Sequence, residues 1–170
     1  MIQKKICMVG MFGVGKTCLV QQFVHSIFAA RYLSTVGVKI DRKDVKSGDQ
    51  DVRLMLWDLE GRDGVRDVNG SYVRGAHGII YVVDGTRRET VDQIFDIRDN
   101  VLREVGEVPS VIALNKIDLK EDWKMRAGEE EDLASRGLHL VRTSAKTGEG
   151  VEETFQWLAD ATVTQEKRPK

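Results

Sequence analysis

Proline, cysteine and long apolar runs are all scarce in this sequence, and each shortage excludes something. The two prolines of the 170 residues, Pro109 and Pro169, leave no proline-rich linker, so the body reads as one continuous domain. Two cysteines, Cys7 and Cys18, are too few for a disulfide scaffold and are expected as buried thiols of a reducing compartment. The longest apolar stretches, Gly78–Val83 and Ser110–Leu114, fall far short of the roughly 20 residues that span a bilayer. Residues 1–10 lack the charged start, apolar core and cleavage site of a signal peptide. Ile2 stands where myristoylation needs glycine, and no cysteine near the end invites prenylation, so no lipid anchor is expected in this chain. A formal net charge of -1 argues against a nucleic-acid binder that works by neutralising phosphates. The expectation is a cytoplasmic chain in which nothing demands more than a monomer.

What is present suffices for one ordinary core, with 41% hydrophobic and 31% charged residues and no internal repeat. Lys4–Val9 is a short apolar run ending in a glycine-rich turn, and Lys16–Val24 follows as a predicted helix. Val36–Val45 and Asp51–Trp57 flank Ser47-Gly48-Asp49-Gln50, which predicts a hairpin. In its second arm Val52, Leu54 and Leu56 alternate with Arg53, Met55 and Trp57, the period of a half-buried strand. Gly78–Val83 and Ser110–Leu114 are continuously apolar, as central parallel strands are. Between them Glu89–Glu104 has helical spacing, with Thr90 and Gln93 placed as a capping box. Gly128–Ser135 (helix), Leu138–Val141 (strand) and Gly150–Ala161 (helix) complete the alternation, leaving Gln165–Lys170 as a polar tail after a single domain over residues 1–164. The pattern predicts a three-layer α/β domain with a mostly parallel sheet, whose ligand sits at the carboxyl ends of the strands.

The chemistry-bearing segments fall there. Gly10-Met11-Phe12-Gly13-Val14-Gly15-Lys16-Thr17 fits G-x-x-x-x-G-K-[ST] between a strand and a helix. Its glycines let backbone N–H groups converge on phosphate oxygens at a helix amino terminus. Lys16 is expected to reach the outer phosphates, and the Thr17 hydroxyl to ligate Mg²⁺. Asp58-Leu59-Glu60-Gly61 follows the strand ending at Trp57; its carboxylate suits the Mg²⁺ shell, and the Gly61 N–H the γ-phosphate. Asn115-Lys116-Ile117-Asp118 follows the second continuous apolar strand. An aspartate there accepts two hydrogen bonds from the N1–H and exocyclic amine of guanine, and adenine lacks that donor pair. Ser144-Ala145-Lys146, after the next strand, offers a backbone N–H to the guanine carbonyl. Singly the three short peptides are weak; in this order after the phosphate loop they exclude chance.

With these motifs the chain resembles the Ras superfamily of small GTPases over almost its whole length. The resemblance implies a P-loop NTPase fold with a six-stranded sheet, the hairpin supplying its one antiparallel strand, and about five helices. It implies a GTP/GDP cycle with Mg²⁺ and two switch segments, about Ile27–Val38 and Asp58–Val73, read by effectors, an exchange factor and an activator. The implied nucleotide contacts are Gly10, Phe12, Gly13, Val14, Gly15, Lys16, Thr17, Cys18, Phe28, Thr35, Gly61, Asn115, Lys116, Asp118, Ser144, Ala145 and Lys146. Phe28 matches the aromatic that packs on the base, Thr35 the threonine that closes on Mg²⁺ and γ-phosphate. The implied metal ligands are Thr17 and Thr35, with Asp58 acting through water. Ser34–Val38 and Ser71–Ile80 are most similar to the Rab branch; Trp57 and Tyr72 match two of three surface aromatics read by Rab effectors, Ile40 standing at the third. Trp57 reads equally as a partly buried strand residue, and Trp123, Trp157 and His77 as structural.

Two departures from the pattern sit at the chemistry, and a third, the missing lipidation site, lies away from it and weighs against a Rab-like membrane-trafficking role. Arg62 occupies the position of the glutamine that orients the attacking water, and Glu60 that of a small residue. An arginine has donors only and cannot accept the water's proton. It either slows hydrolysis, stabilises transition-state charge as an arginine finger does, or points to solvent or to Glu60 or Asp63. Phe12 replaces a small residue, and its ring either obstructs an inserted finger or covers the second switch. The missing lipidation site leaves open a longer chain or a protein that works unanchored, as bacterial relatives are expected to. The expectation is a slow GTPase with Lys16, Thr35, Gly61 and Arg62 at the chemistry. A hydrolysis-impaired guanine-nucleotide-binding module is the alternative, and a P-loop ATP enzyme conflicts with Asn115–Asp118. Glu129–Asp132 and Lys167-Arg168 read as solvated surface.

Overall fold

A computed structural model describes residues 1–28, 37–59 and 70–168 of the chain. In chain order the elements are β1 (Ile2–Val9), α1 (Lys16–His25), β2 (Val38–Ser47), β3 (Gln50–Leu59), α2 (Gly70–Val73) and β4 (Gly78–Asp84). They continue with α3 (Arg88–Asp92), α4 (Ile94–Val105), β5 (Ser110–Asn115), α5 (Glu129–Ser135), β6 (His139–Arg142) and α6 (Val151–Glu166). The strands form one sheet in the order β2-β3-β1-β4-β5-β6, with β2 antiparallel to β3 and every other pair parallel.

The burial of each strand follows its side-chain pattern. All seven residues of β4 are buried, as a strand covered on both faces requires. In β3 Val52, Leu54 and Leu56 are buried while Arg53, Met55 and Trp57 are half-exposed. The two-residue loop of the β2–β3 hairpin has Gly48 first, at φ +59°, where a primed turn takes glycine. Leu54 and Leu56 look towards α1 and α6, which meet through the stacked rings of Phe23 and Phe155, 4.0 Å apart. On the other face α2 and α3 pack against α4. Each fully buried leucine or isoleucine contributes roughly 1.5–3 kcal/mol, against about 0–1 kcal/mol for an exposed ion pair. The apolar layers, not the rim charges, therefore hold the fold.

Two local expectations need correction. The helix foreseen over Glu89–Glu104 is two helices, α3 and α4, with a turn at Gln93 whose N–H is shared between Glu89 O and Val91 O. Thr90 is no cap: α3 starts after Arg87, and the fully buried Thr90 hydroxyl instead accepts from Asp84 N (3.0 Å) and approaches Asp84 O and Arg87 O. Burial inside the β4–α3 corner makes that hydroxyl answer the strand end instead of a helix end. At the carboxyl terminus α6 runs on to Glu166, whose carboxylate meets the ammonium of the fully buried Lys4 at 2.5 Å. Cys7 is buried, Cys18 half-buried, and both are free thiols.

The acidic run is less solvated than expected. Glu129 takes both guanidinium arms of Arg88 and the Arg126 N–H, while Glu130 pairs with Arg142 and Asp132 with Arg136. Hydrogen bonds from Arg88 pull the Glu129 carboxyl down to about 2. A depressed folded-state value stabilises above the unfolded value near 4.5 and loses that effect as pH falls towards 2. Glu129→Gln is therefore expected to lower stability by about 1 kcal/mol at pH 7, after allowance for solvent screening. The deficit against wild type should shrink between pH 4.5 and 2. Urea melts across that range check it, and a deficit independent of pH would contradict the ion-pair account.

Candidate functional site

The reversal that places β3 on one side of β1 and β4 on the other puts a topological switch point at the carboxyl end of β1, where the Gly10–Thr17 loop begins. Gly13 and Gly15 sit at φ +78° and +103°, which curls the loop's carbonyls outward and its amides inward. Gly15 is the N-cap of α1 with no side-chain cap, and the helix has no acidic residue in its first turn. That leaves the arrangement by which a helix start receives an anion. Lys16, 6% exposed, folds its ammonium over the loop and donates to Gly10 O and Met11 O, both at 2.9 Å.

The parallel register of β1 and β3 sets Met8 beside Asp58. Asp58 is buried, and its Oδ2 accepts the Thr17 hydroxyl at 2.6 Å. These two oxygen donors from separate segments stand side by side against the loop; such oxygens are the ligand type that Mg²⁺ takes.

The Asn115–Asp118 segment is tied to the same loop. Asn115, at the end of β5, donates to Val14 O at 2.9 Å and accepts from the Thr143 hydroxyl at 3.2 Å. Lys116 takes a left-handed backbone at φ +69° and donates to Gly13 O at 3.0 Å. Asp118 Oδ1 accepts the hydroxyl of the fully buried Ser144 at 2.7 Å. Ala145 is buried next to it, and Lys146 is exposed. A Cβ on Gly15 would stand 2.3 Å from the Asn115 amide nitrogen, so the two loops are in contact wherever glycine allows it. Cys18 lies close enough for Lys116 and Asp58 to bear on its thiol, whose pKa burial raises.

Phe28 is exposed at the edge of the described residues. Phe12 exposes its ring, and its carbonyl accepts Arg87 Nη1 at 2.6 Å. Thr35, Glu60, Gly61 and Arg62, with much of both predicted switch segments, lie outside the described residues. Four neighbours escaped the sequence reading: Asp84, Thr86, Arg87 and Thr143. Asp84 ends a continuous apolar strand as Asn115 ends the next, a parallel that marks it in hindsight.

On the sheet face under α2, Ile40 pairs with Trp57 across β2–β3, and Tyr72 O accepts the Cys7 thiol at 3.6 Å. The Lys5 ammonium lies 3.7 Å above the Trp57 ring. His77 serves structure: its Nδ1 accepts the Lys5 N–H at 2.9 Å, and burial lowers its pKa. Trp157 stacks on His139, and Trp123 packs so closely on Gly85 that a Cβ there would lie 2.1 Å from its ring.

The model of the Ras family matches residues 5–164. The chain belongs to the Ras family. It is 34% identical to the Ras-related protein Rab-1 of Theileria parva over 160 residues, 92% of this chain and 73% of that one. It is 33% identical to Rab-1 of Theileria annulata over the same shares, and 33% identical to the Ras-related protein RIC1 of Oryza sativa subsp. japonica over 91% of this chain and 78% of that one. This Ras-family chain is thus a Rab-like small GTPase, a GTP-binding switch protein. Among its described residues no helix is long and apolar enough to cross a membrane.

Proposed function

We propose that this Ras-family protein holds GTP or GDP with Mg²⁺ between the Gly10–Thr17 loop and the Asn115–Asp118 segment, and that it hydrolyses GTP slowly. The observation that carries the reading is the bridge from Asn115 to Val14 O and Thr143, which ties the Gly10–Thr17 loop to the Asn115–Asp118 segment. Lys16 and the loop amides take the phosphates. Asp118, the Ala145 N–H and Phe28 take the base, with Asn115 and Lys116 holding the two loops together and Ser144, Lys146 and Cys18 at the pocket's margin. The Thr17 hydroxyl, held beside the Asp58 carboxylate, fits Mg²⁺, with Asp58 acting through water and Thr35 as a further ligand. When bound, the ion offsets negative charge on the phosphate oxygens. Effectors and an exchange factor are assigned to Ile27–Val38 and Asp58–Val73, flanked by the Ile40–Trp57–Tyr72 surface. Two free thiols suit a reducing compartment.

Slow turnover follows from Arg62, whose guanidinium donates hydrogen bonds and accepts none, so that it cannot orient water as an amide does. Arg62→Gln is expected to raise single-turnover hydrolysis of preloaded GTP at least about tenfold, short of the roughly 10²–10⁴-fold that a positioned acid–base group supplies. An unchanged rate would remove Arg62 from the account, and a fall would make it a charge-stabilising group. A chain that binds GTP but never turns it over, in either form, would be a binding module; Phe12, whose exposed ring stands on the loop where an inserted finger would approach, favours that second reading.

A further inference from the structure

The carboxylate of Asp84 is fully buried, yet it belongs to none of the motifs. Its Oδ1 accepts both the N–H (2.9 Å) and the hydroxyl (2.6 Å) of Thr86, the ordinary closure of a turn after a strand. Oδ2 is the atom that a turn does not explain. Among the described residues it meets no hydrogen-bond donor of good geometry, only the Lys116 ammonium as an ion pair at 2.7 Å.

The two partners are unequal. Lys116 is 32% exposed and would remain hydrated without Asp84, whereas the Asp84 carboxylate has no route to water. A buried charge without its partner is costly, so the aspartate dictates where the ammonium stays. Held there, the ammonium also donates to Gly13 O, across 103 residues of sequence. The Gly10–Thr17 loop is thus gripped twice, at Gly13 O by Lys116 after β5, which Asp84 holds, and at Phe12 O by Arg87 after β4.

We propose that Asp84 is a positioning residue that sets how long the nucleotide stays bound, by fixing the Lys116 ammonium onto the Gly13 carbonyl and so locking the base loop to the phosphate loop. The inference rests on reading this pocket as the guanine-nucleotide site. It assigns Asp84 no contact with the nucleotide; the effect passes through Lys116.

The test is release of a fluorescent GDP analogue, preloaded with Mg²⁺ and chased with excess GDP. Asp84→Asn keeps the shape and removes the charge, and release is expected to accelerate roughly tenfold, because the half-exposed ammonium is then free to leave the Gly13 carbonyl for water. Thr86→Val, which loosens the carboxylate without neutralising it, should accelerate release by a smaller factor. Because Asp84 acts through Lys116, adding Asp84→Asn to Lys116→Met should change release by less than about twofold beyond Lys116→Met alone. A purely structural role would multiply the two effects. Should Asp84→Asn fail to fold, Thr86→Val alone and in the Lys116→Met background gives the same decision. Retention by wild type with unchanged release from the variants overturns the inference alone; a wild type that retains no GDP overturns the pocket reading and the inference together.

Discussion

Asp118→Asn is expected to weaken GDP binding by about a thousandfold and to improve binding of xanthosine diphosphate by a comparable factor. A site built to hydrogen-bond a polar partner rejects an analogue lacking it by roughly 10⁴–10⁵, because buried polar groups are then left unpaired. The carboxylate is already oriented, since Oδ1 accepts from Ser144 Oγ at 2.7 Å and that oxygen in turn accepts the Thr147 N–H at 3.1 Å. In the proposed site the carboxylate would offer two acceptors to the two donors on the guanine edge. Asparagine turns one acceptor into a donor, which faces the guanine amine and leaves both unpaired, at a cost of about 1–3 kcal/mol for each group stranded in the pocket. Xanthine carries a carbonyl at that position and restores the match. The swap changes one atom of similar size, so the fold should survive, and far-UV circular dichroism with competition between GDP and xanthosine diphosphate checks both halves. An unchanged preference for GDP would remove Asp118 from the base site.

What the sequence revealed and what it concealed divide along a physical line. The Gly10–Thr17 turn was legible because a backbone that must curl its amides inward tolerates few residues other than glycine, and Gly13 and Gly15 do take left-handed φ values. The hairpin was legible from Gly48, and the central strand β4 from its unbroken apolar run. Each of these is a local demand written in adjacent residues. Asp84 was not legible as a partner of Lys116, because their contact depends on the register of β4 against β5, which pairs Asp84 with Asn115 and so brings their neighbours together. The Lys5 ammonium over Trp57 depends likewise on which residues share a face in β1 and β3. Thr90 was misread for the same reason: spacing to Gln93 suggested a cap, but burial against the β4 end gave its hydroxyl other partners. Glu129 looked like one of four solvated acids until α5 was set beside α3. Registers and packing decide such contacts, and a single sequence carries them only implicitly.

The contact between the two loops gives the second large effect. Gly15→Ala is expected to lower nucleotide affinity more than about a hundredfold while destabilising the protein by about 2–4 kcal/mol, combining a non-glycine residue at positive φ with overpacking. At φ +103° an alanine is strained before its surroundings are considered. Its Cβ would also lie 2.3 Å from Asn115 Nδ2, the atom that donates to Val14 O. Asn115 is buried and its Oδ1 is held by Thr143, so it cannot swing aside without losing both bonds. The substitution therefore pries the base loop from the phosphate loop at the contact that unites them. Gly48→Ala separates strain from displacement: φ is +59° there, nothing lies within 4 Å of the added methyl, and the hairpin turn is outside the pocket. That variant should lose about 1 kcal/mol of stability from backbone strain alone and keep wild-type affinity. Thermal melts and GDP titrations of the two variants side by side give the decision. If Gly15→Ala loses stability but binds as well as Gly48→Ala, the union of the loops is not what holds the nucleotide. If affinity collapses for Gly15→Ala only, a single glycine hydrogen is what lets the two halves of the site close on one ligand.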